Sequence, residues 1–293
     1  MKLLMTLHDS INIEMLSTYA DGFIIGNHQF GARLTHSFDV EEINHIAKEI
    51  KNLNKEVFIQ ANQMMTDDEL SHFSVWLDDL DFSHITGVIV ADLGALVLLQ
   101  EKGLNQKAIY NPETLITNVY DFNFLDQFQV FGVYAAKEIT LEDLKKIGSE
   151  KKVNMFMVGH GHLSMFYSKR KLVQNYVDFL NEEMALRYRQ DLLIIEEHRK
   201  EDPYPILEDD AGTHVFRSNV MHAFNQLDTL KTFIDYMVID TLFKDDYYGA
   251  LVCEMYQTKN ELLKEKIQTE FHETWDEGFF FKKTIYKGKG GEQ

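Results

Sequence analysis

The chain has 293 residues, 45% of them apolar, enough for a large core, and its three prolines argue against long linkers. A single cysteine, Cys253, excludes an intrachain disulfide and any four-thiolate cluster built from this chain alone. A formal net charge of −18 repels phosphates, so nucleic acid or anionic lipid would be met only through a local basic patch. Candidates for such a patch are Lys169, Arg170, Lys171, Arg187 and Arg189, with the tail lysines Lys282, Lys283, Lys287 and Lys289. A solvated face is the simpler reading of these.

The apolar start at residues 1–7 is too short for a signal peptide and reads as a first buried strand. Further short runs rich in Val, Ile, Phe or Met follow at 22–25, 56–61, 87–90, 107–110, 129–134, 154–158 and 236–239. Continuous apolar runs of this kind suit strands buried on both faces. Amphipathic helical patterns alternate with them. Asp39 with Glu42 forms a capping box ahead of 40–52, Thr66 with Glu69 forms another, and Thr140 with Asp143 opens 141–147. Eight such alternations without a dinucleotide-binding glycine fingerprint predict an α/β fold, a (β/α)8 TIM-like barrel. Between strands seven and eight, residues 168–228 are too many for one βα unit. The β-rich runs 191–197, 204–208 and 213–216, with turn chemistry at Asp209-Asp210-Ala211-Gly212, predict a small antiparallel β subdomain there. The barrel with its C-terminal tail then comprises 1–167 and 229–293. No run approaches the roughly 18 apolar residues of a membrane span, so no membrane partner and a cytoplasmic location are expected.

Barrel chemistry sits where strands end and βα loops begin. The polar residues at those positions are His8, Asp9, Asn27, His28, Arg33, Gln60, Asn62, Asp92, Asn111, Glu138, His160, His162 and Asp240. The catalytic candidates are Arg33, which would grip a carboxylate through two N–H groups, His160 as proton donor, and Glu138 in the same pocket. His8, Asn27, His28, Asn62, Asn111 and His162 are candidate ligand contacts. Several of these, Asp9, Asn62 and Asp92 among them, would equally serve as helix caps. In Gly159-His160-Gly161-His162 the imidazoles at i and i+2 would both enter the mouth. No carboxylate or cysteine follows at a recognised metal spacing, so no metal is expected. The flanking glycines more simply allow close backbone approach or a tight turn. Cys253 falls in an apolar helical pattern and reads as an inert buried thiol; Ser164 lacks a nucleophile elbow.

The run 158–176, Val-Gly-His-Gly-His-Leu-Ser-Met-Phe-Tyr-Ser-Lys-Arg-Lys-Leu-Val-Gln-Asn-Tyr, resembles the signature region of the peptidase U32 family. That signature reads Glu-x-Phe-x-x-Gly-[Ser/Ala]-Leu-Cys, four residues, then Gly-x-Cys-x-Leu-Ser. Lys137-Glu138-Ile139-Thr140-Leu141 is similar to the family's Arg-Glu-Leu-Ser-Leu, and 208–218, with Gly212-Thr213 and Ser218, to its acidic-Gly-Thr strand. The run 278–287 is also family-like. Gly161, Leu163, Tyr167, Ser168, Arg170, Asn175 and Tyr176 fit the signature, and Tyr167 and Arg170 join the candidate ligand contacts. The glutamate position holds Phe156, the two cysteine positions hold Ser164 and Lys171, and Lys169 and Gln174 stand at the glycine and final serine. The resemblance implies an iron–sulfur cluster in members with all four cysteines and none here. It further implies prephenate-dependent 5-hydroxylation of the tRNA wobble uridine. This chain would be the short, cysteine-poor subunit beside a longer, cysteine-containing paralogue that supplies most of the tRNA contact. The family name implies a peptidase instead, and a non-catalytic scaffold is a third expectation.

Overall fold

Eight short apolar runs lie side by side and parallel in the computed structural model, which describes residues 1–197 and 199–282. The strands are β1 (Lys2–Thr6), β2 (Gly22–Gly26), β3 (Glu56–Ala61), β4 (Gly87–Val90), β5 (Ala108–Tyr110), β6 (Gly132–Tyr134), β7 (Asn154–Gly161), β8 (Ser164–Ser168), β9 (Leu193–Glu196), β10 (Arg199–Asp209), β11 (Gly212–Phe216), β12 (Val220–His222), β13 (Tyr236–Ile239) and β14 (Trp275–Asp276). The order β13-β1-β2-β3-β4-β5-β6-β7, with β13 pairing back onto β7, closes the predicted (β/α)8 barrel. Alternate residues point inward. Leu4, Ile24, Phe58, Ile89, Ile109, Tyr134, Phe156, Tyr236 and Val238 fill the interior, while Leu3, Met5, Phe23, Val57 and Val88 face the helical layer. The central packing is aromatic: Phe156 stacks on Tyr236 at 4.3 Å with an 8° interplanar angle and lies 5.2 Å from Tyr134. A Cβ on Gly132 would stand 2.4 Å from the Phe156 ring, so the neighbouring strand carries no side chain there.

The helices begin where the caps predict. Val40–Asn52 and Asp67–Asp78 each open on a complete capping box, Asp39 with Glu42 and Thr66 with Glu69, and Thr140 caps Leu141–Glu150. Among the described residues no helix is long and apolar enough to cross a membrane.

The second sheet has the order β8-β11-β10-β9 and is antiparallel throughout. It begins at Ser164, because β8 pairs with β11, with Tyr167 opposite His214 and Ser168 opposite Thr213. The short β12 returns antiparallel to the end of β7 and is joined by β14, extending the barrel wall by two unpredicted strands.

At the end of β7 the expected geometry breaks. The pairing with β13 shifts between Val238 and Ile239, so Val158 opposes Val238 while His160 opposes Ile239. That extra residue turns His160 outward, away from the mouth it was expected to enter. Gly161 then adopts φ +131, where a Cβ would lie 2.6 Å from the Asp240 carbonyl oxygen, and the chain turns again before His162. The two imidazoles therefore lie on different sides of the wall.

Replacing Phe156 by alanine leaves a hole in the aromatic stack. The variant is expected to lose roughly 3–5 kcal/mol of stability, read as a lowered denaturant midpoint at unchanged slope.

Candidate functional site

The C-terminal ends of the barrel strands enclose a polar well of about 70 Å³. Its floor is Thr6, Ile24, Tyr134, Val158 and Val238, and its walls carry Arg33, Gln60, Asn62, Asn111, His162 and Asp240, all expected at the mouth. Glu113 and Lys137, which were not singled out as site residues, complete it. Beside the well, and sharing Arg33, Asn62, Glu113, Lys137 and Ser164 with it, lies an apolar chamber of about 380 Å³. Met64, Leu115, Met165 and Phe166 stand exposed around that chamber, and Tyr167 lines it.

Local backbone geometry places the charged groups. Asn111 Oδ1 accepts from the Glu113 backbone N–H at 3.2 Å, and Glu113 sits in the left-handed region at φ 64. Its carboxylate lies between two cations, paired with Arg33 Nη2 through one oxygen and with Lys137 Nζ through the other. Burial opposes ionisation, but Arg33 and Lys137 outweigh it and hold Glu113 down to about 2. Asp240 lacks such a partner: it accepts from the Leu242 N–H at 3.1 Å, and burial pushes its carboxyl up to about 6 in spite of that bond and of Arg33. His162 Nδ1 lies 2.8 Å from the Arg217 carbonyl oxygen, which can only accept, so Nδ1 carries the proton and the Nε2 lone pair is left to the well. Burial holds this imidazole below its ordinary value and keeps it neutral. Thus the well combines a fixed Arg33–Glu113–Lys137 group, in which two cations share one carboxylate, with a carboxyl that titrates near neutrality and a neutral imidazole that presents a lone pair.

The other candidates lie elsewhere. His160 is fully buried, with Nε2 2.7 Å from the Tyr248 hydroxyl and its ring against Trp275 at 4.7 Å; it belongs to the wall behind the mouth. Glu138 is exposed and does not line the well, and its neighbour Lys137 turns in instead. His8 Nε2 bonds Thr241, and the His8 and Asp9 N–H groups donate to Asp246, fastening β1 to the last barrel helix. Asn27 donates to the Phe38 carbonyl at 2.8 Å, and Asp92 caps the helix Leu93–Glu101. His28 stacks on Tyr188 at 4.2 Å in a separate cleft. Arg170 is exposed, and only its backbone takes part in the inserted sheet's bonding. Of the basic patch, Lys169 pairs with Glu69, Arg187 with Asp210 and Arg189 with Asp191, as a solvated face would. Lys283, Lys287, Lys289 and the family-like run beyond 282 lie outside the described residues.

The chain thus forms a closed barrel with a polar mouth and an antiparallel sheet inserted before its last strand. The model of peptidase family U32 matches residues 12–284, and the chain belongs to that family. The tRNA hydroxylation protein P2 of Bacillus subtilis is 24% identical over 294 residues, 94% of this chain and 95% of that protein. An uncharacterised protease of Methanocaldococcus jannaschii is 24% identical over 263 residues, 84% of this chain and 64% of that protein. A solved U32 peptidase superposes with a TM-score of 0.51 at 11% identity, over 82% of this chain and 92% of its own, which supports the fold.

The residues at the family's cysteine positions do not fit an iron–sulfur cluster. Ser164 offers a hydroxyl at the well, Lys171 an exposed ammonium ahead of the helix Leu172–Phe179, and Cys253 is buried in the helix Asp246–Thr258. Among the described residues no three His, Cys, Asp or Glu side chains converge as metal ligands.

Asp240 makes stability depend on pH. Its carboxyl is raised from 3.8 to about 6, so its contribution is complete below the lower value and is lost as pH rises through the upper one. Asp240→Asn is therefore expected to exceed wild type by roughly 1–3 kcal/mol at about pH 8, with the difference vanishing near pH 4. Denaturant midpoints of both proteins across that range are the measurement.

Proposed function

We propose that this chain is a cytoplasmic subunit of a prephenate-dependent system that 5-hydroxylates the tRNA wobble uridine, acting beside a longer, cysteine-containing member of the family. The observation that carries this reading is the end-to-end match, 94% of this chain and 95% of the relative, to a protein named for tRNA hydroxylation. The charge of −18 and the pairing of the surface cations with acids favour a subunit whose partner makes most of the tRNA contact. In this reading the well takes the polar end of a small ligand and the adjoining chamber its apolar body, with Asp240 and His162 exchanging protons beside it.

A peptidase needs an activated nucleophile. Ser164 lines the well, yet among the described residues no hydrogen bond joins it to His162 or Lys137. Burial pushes the Cys253 thiol up to about 12, far from a reactive thiolate.

The test is mass spectrometry of tRNA nucleosides from a strain lacking this gene, with the longer family member present. Wild type should restore 5-hydroxyuridine, whereas folded Arg33→Gln and His162→Gln should each restore it about tenfold less well. Full restoration by both would leave the chain a scaffold for its partner. Separately, the purified chain should take up no stoichiometric iron and sulfide on anaerobic reconstitution and should not cleave gelatin. A visible cluster absorbance, or cleavage abolished by Ser164→Ala, contradicts these expectations.

A further inference from the structure

The well's principal cation is held from outside the barrel. Arg33 lies in the loop after β2 in a left-handed backbone conformation, φ 57, which a side chain with a Cβ seldom adopts. The group that holds this backbone is Asp209, at the end of β10 in the inserted sheet. Its Oδ2 accepts from the Arg33 backbone N–H at 2.7 Å. Its Oδ1 accepts from Ala211 N–H at 3.0 Å, from Gly212 N–H at 3.2 Å and from His214 Nε2 at 3.0 Å.

That last bond fixes a tautomer. The Asp209 carboxylate, held ionised by His214 and Arg33 against its burial, can only accept, so the proton is on His214 Nε2 and the lone pair is on Nδ1. Nδ1 faces Arg33 Nη1 at 3.3 Å. The ring cannot turn away: Tyr167 stacks on it at 4.7 Å and 16°, and the Tyr167 hydroxyl donates to the Ala211 carbonyl at 3.0 Å. Asp209 and His214 are 1% and 0% exposed, so water does not compete for these bonds. Burial lowers the His214 pKa in spite of Asp209 and keeps Nδ1 an acceptor. From the other side Arg33 Nη2 pairs with Glu113, which also pairs with Lys137.

We propose that Asp209 and His214 are positioning residues for the barrel mouth: Asp209 sets the Arg33 backbone and the His214 tautomer, and His214 sets the Arg33 guanidinium against Glu113. The inserted sheet is thereby a working part of the mouth. The role in catalysis rests on the function proposed above; the positioning does not.

Nitrogen-15 NMR of the wild-type chain tests the geometry directly. His214 should show a protonated Nε2 and an unprotonated Nδ1 across the neutral range, and the Arg33 side-chain N–H signals should be resolved and slow to exchange. In His214→Leu those Arg33 signals should be lost to exchange and 5-hydroxyuridine should fall about tenfold. His214→Gln, whose amide can donate to Asp209 and accept from Arg33, should restore both. An Nδ1-protonated or imidazolium His214 in wild type overturns the proposal even if the leucine variant does not fold. So does a folded His214→Leu with unchanged Arg33 signals. Arg33 signals that respond while modification stays complete uphold the positioning and refute instead the reading of the mouth as the working site.

Discussion

β13 pairs with β1 on one side and with β7 on the other, and the rest of the molecule is arranged around that double pairing. It lays Tyr236 flat on Phe156 and closes the interior around an aromatic stack. A slip of one residue would exchange the inner and outer faces of the strand, which the apolar packing on both sides forbids. The register shift in the β13–β7 pairing falls after Val238, where the interior has been filled and the mouth begins. Below it, side chains build a core. Above it, His160 faces the outer layer while Asp240 and His162 face the well.

The mouth's electrostatics follow from what the barrel interior omits. Phe156, at the centre of the aromatic stack, keeps charge out of the barrel. The acids of the mouth come instead from the loop after β5 and the end of β13. Glu113, between Arg33 and Lys137, is locked in its ionised form. Asp240, without a cation in contact, changes charge near neutrality. Two carboxyl groups lining one well thus have opposite protonation behaviour, set by the nearest cation and not by residue type.

The barrel was legible because its strands are buried on both faces, and its helix starts because a capping box is a local motif. Strand β8 was not, since Ser164–Ser168 is half exposed and lacks the apolar continuity of a barrel strand. At the well, Asn62, Asn111, His162 and Asp240 stand directly after a strand, where the sequence places them, and Arg33 further along the loop after β2. His160 failed by face: equal spacing guarantees a common face only in an unbroken strand, and the pairing shift together with Gly161 breaks this one. Lys137 and Glu138 are adjacent, and only the loop's conformation decides which turns inward. Asp209 and His214 read as turn and strand chemistry, which they also are; their contact with Arg33 spans 176 and 181 positions of sequence, where no local pattern reaches.

The late position of β13 also has a consequence for synthesis. By residue 161 a nascent chain holds the first seven strands of the barrel wall, yet the outer edge of β1 and that of β7 up to Val158 stay open until residues 236–239 emerge, β12 covering only the His160–Gly161 end. Open parallel edges are templates for pairing with another chain, and closure across such a sequence distance is slow. The ribosome therefore delivers the whole inserted sheet while the wall is still open, so both parallel edges must be protected from other chains until the closing strand arrives.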